Sequence, residues 1–309
     1  MSETAAREQL MVQAAKLYYD LDQTQADIAD RLGVTRWQVG RLLREARDIG
    51  IVRIEIVPHA PRRPDLESAL QRRLGLRDAI VVPGDQDAVA RAAAGYLAGL
   101  KPRPPLIGVS WGRSMAAMAQ ALPPRWNDGA EIVMLNGSTT IRAASARANT
   151  VAERLAETAG GTATILPVPA IVGAPATRSV LEQDPVIGAI LARAAAAPVA
   201  CFGLGAIDGS VLVESGYLDQ AAIAALKRAG AVGDILGRFV DGDGQIVDAA
   251  LDARTIGLDP ALLRDKPVVI GISAGPAKHA ILRACTRAGY VNVVVTDEGS
   301  ARHLLEETS

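Results

Sequence analysis

Apolar residues recur at helical spacing through Leu10, Ala14, Leu17 and Tyr18 near the start of the chain, the pattern of one face of an α-helix. A second helical stretch starts at Thr24, a suitable N-cap, and sets Ile28, Ala29 and Leu32 on one face before Gly33 stops it. Val34 and Thr35 form a tight turn and a second cap, and residues 36–47 resume the helical period with Val39, Leu42 and Leu43 turned inward. Residues 51–57 then alternate apolar and charged positions, which predicts a short half-buried strand or wing. Three prolines at 58, 61 and 64 follow, too stiff and too poor in donors for a helix or a central strand. The pattern therefore predicts a helical domain over 1–57, a Pro-rich linker over 58–64 and a larger domain over 65–309.

Beyond the prolines, short apolar runs alternate with Ala-rich amphipathic stretches. Predicted strands are 79–82, 106–109, 131–135, 163–166, 200–203, 245–248, 267–272 and 291–296; predicted helices include 89–100, 114–121, 144–159, 186–195 and 277–288. Strands that are apolar on both faces and alternate with helices imply an α/β fold, a mostly parallel sheet covered by helices on both sides. Ligands of such sheets bind outside the carboxyl ends of the strands, so the loops after those strands are the candidate site.

Composition narrows the classes. The chain has 309 residues and 49% hydrophobic positions, enough for a sizeable core, yet no apolar run reads as a membrane span. Two cysteines, Cys201 and Cys285, are too few for a disulfide scaffold, and no secretory leader is evident, so a cytoplasmic protein is expected. A formal charge of −1 excludes a uniformly cationic nucleic-acid coat. It conceals a local surplus, because residues 34–47 hold four Arg against one Glu.

That surplus gives the second and third helical stretches a function. A short helix, a Gly-containing turn and a second helix form a helix-turn-helix arrangement, with Ala29 permitting close approach and Val39 and Leu42 pinning the second helix to the first. The outward face of the second helix carries Arg36, Trp37, Gln38, Arg41 and Arg44, suited to base edges and phosphates in a DNA major groove. Arg36, Gln38 and Arg41 are expected to read bases. Thr24, Gln25 and Arg44 are expected to hold phosphates, Thr24 and Gln25 through side chain and helix N-terminus, and Thr35 is expected among the DNA-binding residues. Trp37 suits either DNA sugars or its own domain. The plainer alternative is an amphipathic hairpin with a solvated charged face; agreement of caps, turn and apolar positions in one register favours DNA.

In the larger domain, Gly108-Val109-Ser110-Trp111-Gly112 leads from a strand into a helix and matches the G-x-S-x-G nucleophile elbow. The enzyme alternative makes Ser110 a nucleophile, with His279 or His303 as base and Asp234, Asp241 or Asp248 as orienter. It requires a histidine within hydrogen-bond reach of Ser110. The same turn, with Gly112, Arg113 and Ser114 at a helix N-terminus, binds an anion equally well, and that reading is preferred. Further turns crowd the same edge of the sheet: Asn136-Gly137-Ser138, Pro167-Val168-Pro169, Gly203-Leu204-Gly205 and the 273–278 stretch ending at Lys278. Asn136 offers a donor and an acceptor, and Gly137, Gly203 and Gly205 admit close backbone approach. Lysine is rare, five residues against 28 Arg. Lys278 sits in the first turn of a helix, where the dipole disfavours a cation unless an anion binds there. Asp241-Gly242-Asp243-Gly244 is expected to be a hairpin turn, since the rest of a calcium loop is absent. No cofactor and no metal are expected.

Together the motifs resemble the SorC/DeoR-type bacterial transcriptional regulators. The carriers are Tyr18-Tyr19, residues 42–52, the 108–114 turn, the 232–239 stretch with Asp241, and residues 288–298. Gly40 stands where that family usually has Ser. The resemblance implies a helix-turn-helix head on a sugar-binding domain related to sugar-phosphate isomerases, and a sugar, polyol or sugar phosphate that modulates operator binding. It also implies a homodimer or homotetramer on a pseudo-palindromic operator. Asp234 joins the expected effector residues. The sugar-phosphate isomerase relationship keeps a second enzyme alternative open, although no catalytic carboxylate–His pair stands out in these loops.

Overall fold

The computed structural model describes residues 3–21, 23–52, 62–139 and 147–306. It divides the chain into two compact units, Met1–Pro58 and His59–Ser309.

In the first unit α1 (Glu3–Ala15) runs on through a π-helical turn, Lys16–Asp20, followed by α2 (Gln25–Leu32) and α3 (Arg36–Asp48). Both later helices begin in reciprocal capping boxes, which satisfy N-terminal N–H groups that would otherwise lack partners. Thr24 Oγ1 accepts from the Asp27 N–H at 3.3 Å while Asp27 Oδ2 accepts from the Thr24 N–H at 3.2 Å. Thr35 and Gln38 repeat the exchange at the head of α3. Gly33, at φ 66°, closes α2 in the left-handed conformation that glycine adopts without strain. The core joins Met11 and Ala14 of α1 to Ile28 and Ala29 of α2 and Val39, Leu42 and Ala46 of α3. Tyr18, read as part of the inner face, is 36% exposed instead, because the π turn shifts the register after Ala15. Of the expected 51–57 wing, Ile51 and Val52 pack on this core; residues 53–57, like 58–61 of the linker, lie outside the described residues.

The second unit opens with α4 (Pro64–Leu74). Pro64, the third of the three prolines, is the first residue of this helix, where its missing N–H costs nothing. The strands are β1 (Asp78–Val82), β2 (Leu106–Val109), β3 (Glu131–Met134), β4 (Thr162–Thr164), β5 (Val199–Gly203), β6 (Gly205–Ala206), β7 (Gly233–Ile235), β8 (Arg238–Val240), β9 (Val268–Ser273) and β10 (Val293–Asp297). Between them lie α5 (Gln86–Gly99), α6 (Arg113–Ala121), α7 (Arg147–Ala159), α8 (Pro175–Gln183), α9 (Pro185–Ala196), α10 (Val211–Glu214), α11 (Gln220–Arg228), α12 (Ala249–Asp252) and α13 (His279–Arg287), with α14 (Glu298–Glu306) last. Seven strands form one sheet in the order β1-β10-β9-β5-β2-β3-β4, every pairing parallel. The fold is α/β with a mostly parallel sheet.

The chain runs outward from β2 to β3 and β4 on one side, and from β5 to β9 and β10 on the other. Connections therefore diverge between β2 and β5, which pair through Val109 and Cys201. A crevice opens at the carboxyl ends of such a divergent pair. Residues alternate between two apolar layers along each strand: Val268, Ile270 and Ile272 of β9 face one and Val269 the other.

The predicted strand at 245–248 does not form. Asp241 Oδ1 accepts from the Asp243 and Gln245 N–H groups at 2.9 Å, tightening a turn, and Asp248 N-caps α12; a single bridge, Val240 to Ile246, remains of the pairing. The 163–166 strand shortens and shifts to Thr162–Thr164, and the 277–288 helix starts as a 3₁₀ turn at Pro276–Lys278. Residues 144–146 of the expected 144–159 helix lie outside the described residues.

Phe202 of β5 is fully buried in the middle of the sheet. Phe202→Ala is expected to lower the unfolding free energy by about 3–5 kcal/mol through lost burial and a residual cavity, measured by urea denaturation; a loss under about 1 kcal/mol would show that β5 is not central to the packing.

Candidate DNA-reading face and effector site

On α3 the capping and packing just described turn Arg36, Trp37, Gln38, Arg41 and Arg44 to the surface, all exposed. Trp37 is 71% exposed, so it does not pack into its own unit. An open groove of about 990 Å³ is lined by Gln25, Arg36, Trp37, Gly40, Arg41, Arg44, Glu45 and Arg47. A second, of about 550 Å³, shares Gln25 and Arg36 and reaches Tyr18, Tyr19 and Thr24.

Arg41 is held in place. Its Nε donates to Glu45 Oε1 at 3.0 Å, one helical turn on, and its guanidinium carbon lies 5.8 Å from the Trp37 ring centroid. Glu45 is gripped from the other side by Arg7 of α1 at 2.8 Å. Hydrogen bonds from Arg7, then Arg41, hold the Glu45 carboxyl below its usual pKa range. Among the described residues Arg41 hydrogen-bonds through Nε alone, and it lines the groove, where a guanidinium offers a fork of donors that matches guanine or phosphate. Two expected contacts have other employment. The Thr24 hydroxyl donates to Asp27 Oδ2 at 2.6 Å while accepting from the Asp27 N–H, and Gln38 Oε1 accepts from the Thr35 N–H at 2.7 Å.

In the second unit, four of the expected turns follow β2, β3, β5 and β9 at one edge. Gly112 begins α6 without any side-chain cap, which leaves N–H groups of the first turn for another acceptor. Gly275 precedes the Pro276–Lys278 turn, also without a cap. The two helix starts meet: Lys278 Nζ donates to the buried Ser114 Oγ at 3.2 Å. Burial, and next the positive Arg113, push the Lys278 pKa down. Arg113 itself stays exposed, bonding Glu214 at 3.3 Å and the Gly209 carbonyl at 3.1 Å.

Asp234 of β7 is buried close by. Desolvation raises its carboxyl pKa to about 6 against the pull of the Gly237 N–H, Lys278 and Ser210. Gly205 exists for this side chain: a Cβ there would stand 2.0 Å from Asp234 Oδ1. Gly203 likewise lets β5 approach α6, a Cβ there being 3.4 Å from that of Ser114. Gly137 serves the packing of its loop, since a Cβ would lie 2.6 Å from the Pro169 carbonyl, and its own carbonyl accepts from Trp111 Nε1. Asn136 is buried, and among the described residues neither of its amide atoms has a hydrogen-bond partner, an expensive state for a polar group.

Sequence reasoning passed over Ser210, buried at the N-cap of α10, and Asp297, which accepts from the Gly275 N–H at 2.8 Å and so fixes the loop before Lys278. Asp297 falls within the 288–298 stretch, the one signal that pointed to it. Ser110 Oγ donates to the neighbouring Trp111 carbonyl at 3.0 Å, and among the described residues no histidine bonds it; His279 meets Ser300 and His303 meets Arg283. The hydrolase alternative thus lacks its base. Among the described residues no group of three or more His, Cys, Asp and Glu could hold a metal, and no helix is long and apolar enough to cross a membrane.

Residues 60–306 match the family of sugar-binding domains denoted Sugar-bind. The Deoxyribonucleoside regulator of Bacillus subtilis (strain 168) is 31% identical over 97% of this chain and 98% of its own length. The chain belongs to the SorC/DeoR-type family of transcriptional regulators. Transcriptional regulator LsrR of Klebsiella pneumoniae subsp. pneumoniae is 30% identical over 97% of this chain and 94% of its own. The full-length Sorbitol Operon Regulator SorC from Klebsiella pneumoniae has a crystal structure similar to this one, with a TM-score of 0.73 at 28% identity, covering 96% of this chain and 99% of that one. As a SorC/DeoR-type protein the chain is a regulator with a sugar-binding domain, not an enzyme; neither the hydrolase nor the isomerase alternative stands.

The raised pKa of Asp234 has a definite sign. Its folded value, about 6, lies above the ordinary 3.8, so its contribution to stability is fully present below about pH 4 and is lost as pH rises through about 6. Asp234→Asn is expected to gain stability relative to wild type progressively between pH 4 and pH 6, levelling above that, in paired thermal melts. A difference that stays flat from pH 4 to pH 8 would contradict the burial of this carboxyl.

Proposed function

We propose that the first unit, with the 1–57 and 58–64 boundaries expected from sequence, is an operator-binding head, and that the second is a sensor for a phosphorylated sugar or polyol. Arg36 and Arg41 read bases; Arg44, with Thr35 and Trp37 beside it, holds the DNA backbone. The effector's anionic group sits at the start of α6, against the N–H groups after Gly112, the Ser114 hydroxyl, Lys278 and Arg113. Its hydroxyls reach Asp234 and Asn136, with Ser110, Gly137, Gly203 and Gly205 shaping the rim.

The observation that carries this reading is the bond from Lys278 to Ser114. It brings a desolvated cation to an uncapped helix N-terminus, two positive elements that repel each other until an anion lies between them. A phosphate supplies that charge and a neutral sugar does not. The assembly is a homodimer or homotetramer in the cytoplasm, since two heads are needed for a two-fold operator. The effector acts by binding one quaternary arrangement better than another.

Two variants separate the sites. Arg41→Ala is expected to weaken operator binding at fixed salt by roughly 5- to 150-fold while thermal shifts with sugar phosphates stay as in wild type. Lys278→Met is expected to abolish the thermal shift given by sugar phosphates and to leave operator affinity without effector unchanged. A Lys278→Met protein that is still stabilised as strongly as wild type would overturn the anion site, and unchanged operator affinity in Arg41→Ala would overturn the DNA face.

A further inference from the structure

Helix α3 carries Gly40 in its interior, although glycine is the poorest helix former after proline. Nothing in the fold demands it there. Its φ is not positive, and a Cβ would meet one atom within 4 Å, Gln25 Oε1 at 3.4 Å. The glycine instead leaves a notch in the exposed face, one turn after Arg36 and Trp37 and one turn before Arg44, within the groove of about 990 Å³.

Gln25, the first residue of α2, lies across that notch. It is half-buried, so its position is restrained, and its amide has no hydrogen-bond partner among the described residues. The other amide on this face, Gln38, has its oxygen committed to the Thr35 N–H and cannot present the donor and acceptor pair together without breaking the cap. Glutamine recognises adenine through that pair, N6–H to its oxygen and its nitrogen to N7.

We propose that Gly40 opens the recognition helix so that the Gln25 amide, reaching from the preceding helix, reads an adenine in each operator half-site. Adenine recognition thereby passes from Gln38 to Gln25, and Gln25 is a base reader instead of the phosphate contact that its place at a helix N-terminus suggests. Gly40 is a specificity-determining residue by virtue of having no side chain, since a methyl there fills the space through which the base edge meets the amide. This inference rests on α3 being the recognition helix.

The test selects duplexes from a random-sequence pool with full-length protein at one salt concentration, comparing wild type, Gln25→Ala, Gly40→Ala and Arg41→Ala. Alanine favours the helix over glycine, so Gly40→Ala keeps its fold. Wild type is expected to require adenine at one position per half-site. Gln25→Ala and Gly40→Ala are expected to lose that preference, roughly 5- to 150-fold, with other positions and binding to scrambled duplex unchanged. A Gln25→Ala protein weakened equally on all duplexes would make Gln25 a backbone contact and overturn the proposal, as would an intact adenine preference in Gly40→Ala. Either result alongside a loss of specific binding in Arg41→Ala leaves the recognition-helix reading standing; wild type that selects no sequence overturns both.

Discussion

The larger unit depends on one constraint: its sheet is parallel and buried on both faces. All six residues of β9 are buried, as are four of the five in β5, so polar chemistry cannot sit on the strands without losing water. It collects at their carboxyl ends, where helix N-termini supply N–H groups. Even there, water is scarce enough that Lys278 and Asp234 both hold their charges reluctantly, the lysine pushed down and the carboxyl pushed up. Each is a group whose environment favours the neutral form.

The small unit solves a different problem. Thirteen-residue α3 must present a charged face while anchored by few apolar contacts, and it does so by spending its first turn on a cap and its far side on α1 and α2. Arg7 and Glu45 lie 38 residues apart in sequence and extend that anchoring to the reading face. Through Glu45 the first helix is linked to Arg41. Exposed ion pairs of this kind add little stability, so what the pair contributes is a restraint on where the side chain points.

Much of this was legible in the residues. Thr24, Gly33 and Thr35 mark two helix starts and one stop because caps and left-handed turns admit few residue types, and continuous apolar runs mark the central strands because burial on both faces leaves no alternation. Where polar atoms serve the backbone, the sequence was silent. Gln38 looks like any exposed glutamine until its bond to Thr35 is seen, and the 245–248 run looks like a strand until Asp241 and Asp248 are found turning the chain and capping a helix. The three-stranded sheet of β6, β7 and β8 went unread because strands of two or three residues are shorter than any period. Ser210 and Asp297 enter the site through tertiary contacts, to which spacing along the chain gives no clue.

If a ligand held at Lys278 couples the two units, linkage makes the coupling measurable. Fluorescence anisotropy with a selected operator duplex, and calorimetry with the sugar phosphate that gives the largest thermal shift, together yield operator affinity with and without ligand and ligand affinity with and without operator. Each affinity is expected to change, and by the same factor, as reciprocity requires. Saturating ligand that leaves operator affinity unaltered would mean that the two units are not coupled through Lys278.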